Sequence, residues 1–277
     1  MDTEATTKHL NYEWVTQVLT HFIKEELHKF GIQKSVLGLS GGIDSAVVAA
    51  LCARALEPQN VLAIKMPYRN SSKESVQHAD LLVKQLGIRA VEISITEQVD
   101  AYFVKRPELS ALQKGNKMAR ERMSILYDFS VSESALVIGT SNKTELLLGY
   151  GTQYGDMASA VNPIGDLYKN QIFALARYLK IPEVLITKAP SADLWEGQTD
   201  EKELGETYEK LDQFLYYLVD ERYDDESLLK MGFEKEFIQK IKTRVARNQY
   251  KRRPPVIAKL SGRTIEADFL YPRDWGV

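Results

Sequence analysis

The chain has 277 residues, and with 44% apolar content this length is enough for one large α/β domain with a sizeable core. Lys and Arg total 36 against 38 Asp and Glu, so the net charge of −2 gives no general attraction to nucleic acid or to an anionic membrane. No run of eighteen apolar residues and no leader pattern occurs, which predicts a soluble, cytoplasmic protein that acts on small molecules.

The first predicted element is an amphipathic helix that ends near Gly31. Eight apolar residues recur along it at helical spacing: Trp14, Val15, Val18, Leu19, Phe22, Ile23, Leu27 and Phe30. A packing layer is the simpler interpretation of this stripe. Because the stripe is wide, a subunit interface is the alternative.

A strand over residues 35–39 then leads into the turn Ser40-Gly-Gly-Ile-Asp-Ser45. Two adjacent glycines let the backbone approach a ligand and turn successive N–H groups inward, and the positive end of the helix that follows favours an anion there. The letters fit neither the Gly-Lys-Ser/Thr loop of kinases nor the G-x-G-x-x-G of dinucleotide folds. They resemble the SGGxDS loop of enzymes that split ATP between its α and β phosphates, so we predict a phosphate-binding loop.

The helix after this loop is apolar on every face from Ala46 onward, which predicts that it is buried and that it holds the loop rigidly. It contains the single cysteine of the chain, Cys52. One cysteine excludes an internal disulfide, and inside a buried helix it is expected to act as a small hydrophobe rather than as a catalytic thiol.

Three more strands are predicted, over residues 61–64, 91–95 and 135–139, with helices between them. Alternation of this kind favours a parallel, doubly wound sheet. A second polar turn, from Thr140 to Glu145, comes directly after the last of these strands. It holds the same position that the first polar turn holds after the strand over residues 35–39. Ligands bind beyond the carboxyl ends of strands where the strand order reverses, so we expect these two strands to be neighbours. Asp44 and Glu145 would then meet, and two carboxylates beside ATP phosphates commonly hold Mg²⁺.

The second half of the chain is predicted to be mainly helical. Lys169 falls in the first turn of a helix, where an anionic ligand would offset its unfavourable position. Residues 190–205 are polar and bounded by Pro190 and Gly205, which is typical of a lid loop. The basic run that begins at Tyr250 is too short for nucleic acid and fits the phosphates of a small ligand better.

Taken together, these motifs are similar to those of the ammonia-dependent NAD⁺ synthetases. The resemblance rests on the SGGxDS loop and on six further segments: Gly115–Arg122, Gly139–Glu145, Tyr154–Asp156, Asn162-Pro163, Ala189–Leu194 and Lys251–Pro255. It implies an ATP-pyrophosphatase fold of the adenine nucleotide alpha hydrolase type, Rossmann-like, in a single domain over residues 1–277. The sheet core would occupy about residues 32–190, the lid 190–205 and a helical part 206–260.

The resemblance also implies residue roles. Asp44 and Lys169 would be catalytic, and Asp44 with Glu145 would hold Mg²⁺. The expected ATP contacts are Gly38, Leu39, Ser40, Gly41, Gly42, Ile43, Asp44, Ser45, Thr140, Lys169 and Ser191. The expected contacts to deamido-NAD⁺ are Arg120, Gln153, Tyr250 and Lys251. Four positions depart from the residues common in the family: Gln153 stands for Lys, Ala160 for Asp, Ser191 for Thr and Tyr250 for His.

The implied reaction adenylates the nicotinate carboxylate of deamido-NAD⁺ with ATP and then displaces AMP with ammonia. It requires no protein nucleophile, which agrees with the lack of a Ser-His-Asp or Cys-His pattern, and the resemblance further implies a homodimer. The alternatives are another SGGxDS ligase, such as a GMP synthetase-like or tRNA-modifying enzyme, or a regulatory module that binds ATP without turnover. A tRNA enzyme would be expected to carry a strongly basic surface or paired cysteines, and the chain has neither.

Overall fold

The computed structural model describes residues 10–191, 199–265 and 268–269. The strands of its sheet are β1 (Lys34–Gly38), β2 (Val61–Lys65), β3 (Arg89–Glu92) and β4 (Ala135–Val137). Among the described residues before 190, eight α-helices occur: α1 (Tyr12–His28), α2 (Ile43–Leu56), α3 (Lys73–Leu86), α4 (Thr96–Phe103), α5 (Ala111–Ser132), α6 (Lys143–Leu148), α7 (Lys169–Tyr178) and α8 (Glu183–Ile186). Four more follow: α9 (Asp200–Leu204), α10 (Tyr208–Leu215), α11 (Asp225–Lys230) and α12 (Lys235–Arg247).

The four strands form one parallel sheet in the order β3-β2-β1-β4. Val36 on β1 pairs with Leu62 on β2 and with Val137 on β4. The strand order therefore reverses between β1 and β4, which confirms the predicted doubly wound sheet and the predicted neighbours. The turns that follow these two strands open at the same edge of the sheet.

Alternate residues of each strand point to opposite sides of the sheet, and helices cover both faces. Leu37 and Ala63 pack on one side with α1, α2, α7 and α8, whereas Val36 and Leu62 pack on the other side with α4 and α5. Nine consecutive residues of α2, from Ala46 to Arg54, include seven that are at most 1% exposed. The prediction that α2 is buried is therefore confirmed, and Cys52 lies in the core.

A second, smaller core joins the helices of the C-terminal part to α6. Phe214 is fully buried in it and packs edge to face against Phe233 and Phe237, with 5.2 and 5.0 Å between ring centroids. A π-helical turn, Tyr216–Asp220, extends α10. This core fixes α10 and α12 against the sheet edge at which β1 and β4 end.

Two sequence expectations change in detail. Residues 190–205 were expected to be a loop throughout, but Asp200–Leu204 forms the helix α9, because Asp200 finds buried partners that local propensity does not reveal. Residues 192–198, seven of the sixteen residues of the expected lid, lie outside the described part of the chain. The third strand also begins and ends earlier than expected, at Arg89–Glu92. Within the described ranges, no helix is both long and apolar enough to cross a bilayer.

Candidate active site

The phosphate loop folds tightly on itself between β1 and α2. Gly41 has a positive φ of 75°, and a Cβ there would lie 2.1 Å from the carbonyl oxygen of Ser75, so only glycine fits. The Ser45 hydroxyl donates to the Gly42 carbonyl oxygen at 3.0 Å and accepts from the Ser40 N–H at 3.3 Å. The loop is therefore held in shape by its own side chains and by the first turn of α3.

Asp44 and Glu145 meet at the edge of the sheet, on either side of one lysine. The Nζ atom of Lys169 lies 2.5 Å from Asp44 Oδ2 and 3.5 Å from Glu145 Oε1. Only 2% of the Lys169 side chain is exposed. With two carboxylates and one ammonium group, this buried cluster carries one excess negative charge.

Asn142 connects the two carboxylates. Its side-chain amide donates to Asp44 Oδ1 at 2.9 Å, and its carbonyl oxygen accepts from the Glu145 N–H at 2.9 Å. The Glu145 carboxylate in turn accepts from the Asn142 N–H at 3.2 Å, which completes a capping box at the start of α6. Sequence reasoning assigned Asn142 no role, although the Asn-x-x-Glu spacing before an apolar run is the signature of this cap.

The charges of the cluster shift the ionisation of its members. Burial raises the pKa of Glu145, the negative charge of Asp44 raises it further, and Lys169 only partly counteracts this. For Lys169, burial alone would lower the pKa, but the two carboxylates outweigh it and the net pKa is raised. Glu145 therefore holds a proton more readily than an ordinary glutamate, and a second cation would displace that proton.

Asp212 on α10 ties α6 to α7 behind the cluster. It is fully buried, and its carboxylate accepts from the Thr144 hydroxyl at 2.5 Å and from the Asn170 N–H at 2.7 Å. The Thr144 hydroxyl oxygen also accepts from the N–H of Lys169 at 3.1 Å. These bonds place Glu145 and Lys169 relative to each other. The sequence gives no local signal for Asp212, which lies 68 residues from Thr144.

Asp200 is a second buried carboxylate that sequence reasoning missed. It is 4% exposed and accepts from the hydroxyls of Tyr208 at 2.9 Å and Tyr150 at 3.0 Å. The ring of Tyr208 lies below Lys169, with 5.2 Å between Nζ and the ring centroid. The Asp200 N–H also donates to the Pro190 carbonyl oxygen at 3.0 Å, so the two ends of the 191–199 segment are joined.

The cluster opens into a cavity of about 1200 Å³ between the sheet edge and α12. Such a volume is at the upper end for small-molecule sites and accommodates more than one ligand. The predicted ATP and metal residues on its wall are Gly38, Leu39, Ser40, Gly42, Ile43, Asp44, Ser45, Thr140, Glu145, Lys169 and Ser191. Gly41 lies behind this wall, against Ser75.

The residues expected to contact deamido-NAD⁺ are arranged differently. Lys251 borders the large cavity, but its Nζ donates to the carbonyl oxygens of Gly149 and Gly151 at 2.7 and 2.9 Å. Arg120 Nε donates to the Gln153 carbonyl oxygen at 3.3 Å, and Gln153 borders a separate cavity of about 270 Å³. Tyr250 is 58% exposed. The structure thus brings Arg120 to Gln153, and neither lines the large cavity.

The donor set of the cluster fits a magnesium ion. Among the described residues, no three His, Cys, Asp or Glu side chains are grouped to hold a metal by themselves. Mg²⁺ takes one or two carboxylates and completes its octahedral shell with water and substrate phosphates, which matches two carboxylates beside a phosphate loop. Asp44 and Glu145 are the residues that could hold it.

A parallel sheet with this loop and a carboxylate pair at its reversal point defines a class of ATP-dependent enzymes that activate a substrate at the expense of the α–β phosphate bond. The chain belongs to the NAD synthase family, whose family model matches residues 15–255.

Individual relatives agree with this assignment. The chain is 59% identical over 266 residues to the NH(3)-dependent NAD(+) synthetase of Chlorobium phaeovibrioides. The aligned region covers 96% of each of the two chains. Among solved structures, the NH3-dependent NAD synthetase of Campylobacter jejuni is 40% identical with a TM-score of 0.77, over 91% of this chain and 100% of that one. An NMN synthetase from Francisella tularensis is 32% identical with a TM-score of 0.81, with the same coverage.

Proposed function

We propose that this chain uses ATP to adenylate the nicotinate carboxylate of deamido-NAD⁺ and then amidates it with ammonia, yielding NAD⁺, AMP and pyrophosphate. The observation that carries this function is the meeting of the phosphate loop with Asp44, Glu145 and Lys169 at one sheet edge. The family and the relative at 59% identity supply the substrate.

In the first step, a carboxylate oxygen of the substrate attacks the α-phosphorus of ATP, and the bond from that phosphorus to the bridging oxygen of the β-phosphate breaks. Ammonia then attacks the acyl carbon, loses one proton, and AMP leaves. The substrate is its own nucleophile. The protein therefore contributes alignment of the reactants and stabilisation of phosphate charge, through the loop N–H groups and Lys169.

Lys169 is well placed for this role because Asp44 and Glu145 hold its ammonium group charged and fixed within a buried site. Asn142 and Asp212 prevent the carboxylates and the lysine from turning away. Asp44 and Glu145 would hold Mg²⁺, which when bound neutralises developing negative charge on the phosphates. The remaining ATP contacts that we propose are the cavity-lining residues of the loop, Thr140 and Ser191.

On the dinucleotide side, we propose that Arg120, Gln153, Tyr250 and Lys251 contact deamido-NAD⁺. The support is their sequence context, together with the position of Lys251 at the border of the large cavity. Because the side chains of Arg120 and Lys251 bond to main-chain carbonyls, ligand binding has to exchange some of these contacts.

We further propose that two copies of the chain form a dimer in solution and that each copy is a single domain. The predicted stripe on α1 is only partly used in the fold: Ile23 and Leu27 are fully buried, whereas Trp14 and Phe30 are 62% and 54% exposed. Exposed aromatic residues beside a buried stripe favour an interface. The large cavity draws residues from both the sheet and α12, which supports a single unit.

The test is incubation of the purified protein with ATP, Mg²⁺, ammonium and deamido-NAD⁺, with NAD⁺, AMP and pyrophosphate measured together. We expect the three products in equal amounts. Nicotinate mononucleotide and xanthosine monophosphate serve as rival acceptors, the former because a relative in the fold comparison is an NMN synthetase. Faster turnover of either rival, or binding of ATP without AMP release, would overturn the proposal.

Glutamine in place of ammonium provides a further control. Burial raises the pKa of the Cys52 thiol to about 12, and Cys52 lies in the core, so it cannot act as the nucleophile of a glutaminase. We therefore expect no NAD⁺ from glutamine. The glutamine-dependent NAD⁺ synthetase of Acinetobacter baumannii, 29% identical to this chain, is about twice as long, since this chain covers 51% of it.

A further inference from the structure

A lysine outside the carboxylate cluster also faces the phosphate loop. Lys188 follows α8, borders the large cavity and lies three residues before Ser191. Its Nζ donates to the Ser75 hydroxyl oxygen at 2.6 Å. Ser75 is 4% exposed, in the first turn of α3, so the half-buried lysine is held at a defined place on the cavity wall.

That place is next to the loop. The carbonyl oxygen of Ser75 packs so closely on Gly41 that a Cβ there would lie 2.1 Å away. Ser75 thus contacts the loop through its main-chain carbonyl oxygen, and its side-chain hydroxyl accepts from Lys188. Lys188, the loop and residues at the start of the 14-residue helix α3, whose N-terminal end is positive, line the same cavity.

The charge of Lys188 is not balanced within the described part of the chain, where it forms no ion pair. Two other lysines on the same cavity wall are balanced. Lys65 Nζ lies 2.5 Å from Asp80 and 2.9 Å from Glu92, and Lys169 lies between Asp44 and Glu145. A half-buried cation whose partner is a neutral hydroxyl attracts an anionic ligand more strongly than a neutralised one.

We propose that Lys188 binds the β- and γ-phosphates of ATP and the pyrophosphate that they become. This assignment rests on the proposed function and deepens it, because it gives the leaving group its own cation, separate from Lys169. Lys188 would hold the polyphosphate end while Lys169 remains at the carboxylate cluster. The α-phosphate and the adenosine part of ATP would not depend on Lys188.

The experiment measures binding by calorimetry, without turnover, of magnesium pyrophosphate and of AMP to the whole protein. For Lys188→Met, we expect the dissociation constant of pyrophosphate to rise roughly 10- to 100-fold, the loss typical of one charge-assisted hydrogen bond. The dissociation constant of AMP, which lacks the β- and γ-phosphates, should stay within about twofold, and Lys188→Arg should restore most of the pyrophosphate affinity. Lys84→Met, on the exposed end of α3, removes the same charge and should change neither constant.

Equal weakening of AMP and pyrophosphate would show that Lys188 only supports the loop through Ser75, and would overturn the proposal. Unchanged pyrophosphate affinity in both Lys188→Met and Lys188→Gln would overturn it as well. If the wild-type protein binds pyrophosphate but makes no NAD⁺, the proposed function fails while the Lys188 comparison remains readable, so the two failures are distinguishable.

Discussion

The two sides of the cavity use their charged side chains differently. On the phosphate side, Asp44, Glu145 and Lys169 bond to one another and face the cavity. On the side that we propose for the dinucleotide, Lys251 at the cavity border and Arg120 outside the cavity donate to main-chain carbonyls, and so hold the backbone. The charged groups of the phosphate side are therefore already in place, whereas on the proposed dinucleotide side a ligand would have to replace internal hydrogen bonds. Substitutions on the two sides should fail in different ways.

The largest effect is expected from Asp44→Asn and Glu145→Gln. Each removes one anionic group from the only carboxylate pair that we assign to Mg²⁺, so kcat should fall by at least roughly 100- to 1000-fold, the usual cost of losing one preorganised charge at the reacting centre. The melting temperature should change little, because each substitution keeps the shape of the side chain and removes the one excess negative charge of the cluster. Steady-state kinetics and thermal melts measure this.

The control for these variants is Glu226→Gln, which removes an exposed charge paired with Lys230 at 2.7 Å. It should leave kcat unchanged, because such surface pairs contribute little. Near-normal turnover in either site variant would remove the metal assignment and with it the contrast between the two sides.

Asp212→Asn should act on stability as well as on turnover. The single oxygen of an amide replaces only one of the two carboxylate oxygens, so either the Thr144 hydroxyl or the Asn170 N–H loses its acceptor, and we expect a loss of about 1–3 kcal/mol in the free energy of unfolding. A drop in kcat should accompany it, because Lys169 and Glu145 lose their common support. Denaturant unfolding measures the first effect and steady-state kinetics the second.

The same variant carries a pH signature. Burial raises the pKa of Asp212 to about 6. Since the folded-state pKa lies above the ordinary value, the contribution of this group to stability is complete at low pH and is lost as the pH rises through about 6. Asparagine does not titrate, so the stability gap between wild type and variant should be larger at pH 5 than at pH 8, by about 1–2 kcal/mol. A gap that is constant with pH would contradict the assignment.

Lys251→Met tests the dinucleotide side. It leaves the carbonyls of Gly149 and Gly151 without their donor, so the melting temperature should fall by a few degrees, the effect of about 1–2 kcal/mol. The KM for deamido-NAD⁺ should rise roughly tenfold, as expected for one charged contact, while the KM for ATP stays within about twofold. A fall in stability with no change in the KM for deamido-NAD⁺ would make Lys251 a purely structural residue.

The smallest effect is expected on assembly. Light scattering at micromolar concentration should give twice the chain mass of 31.5 kDa. Trp14→Lys should weaken the dimer roughly tenfold, because a large interface aromatic typically contributes more than 1 kcal/mol. Val131→Lys, at an 81% exposed position of α5, is the matched control. A monomeric wild type would refute pairing, and dissociation by Val131→Lys alone would move the interface from α1 to α5.

The parts of the site that sequence could predict are those set by the sheet. Once β1 and β4 are neighbours, the turns after them must meet, and Asp44 and Glu145 come together without any knowledge of packing. Asp200 and Asp212 could not be predicted, because their partners are brought close only by the helical core around Phe214. The wide stripe on α1 shows the same limit, since periodicity identifies a helix face but not which part of it another surface covers.

The central claim is that the nicotinate carboxylate of deamido-NAD⁺ attacks the α-phosphorus of ATP. Deamido-NAD⁺ labelled with ¹⁸O in that carboxylate, incubated with ATP, Mg²⁺, ammonium and the protein, tests this directly by mass spectrometry of the products. The account predicts AMP that carries one ¹⁸O atom and pyrophosphate that carries none. Unlabelled AMP formed together with NAD⁺, or label in pyrophosphate or phosphate, would contradict it.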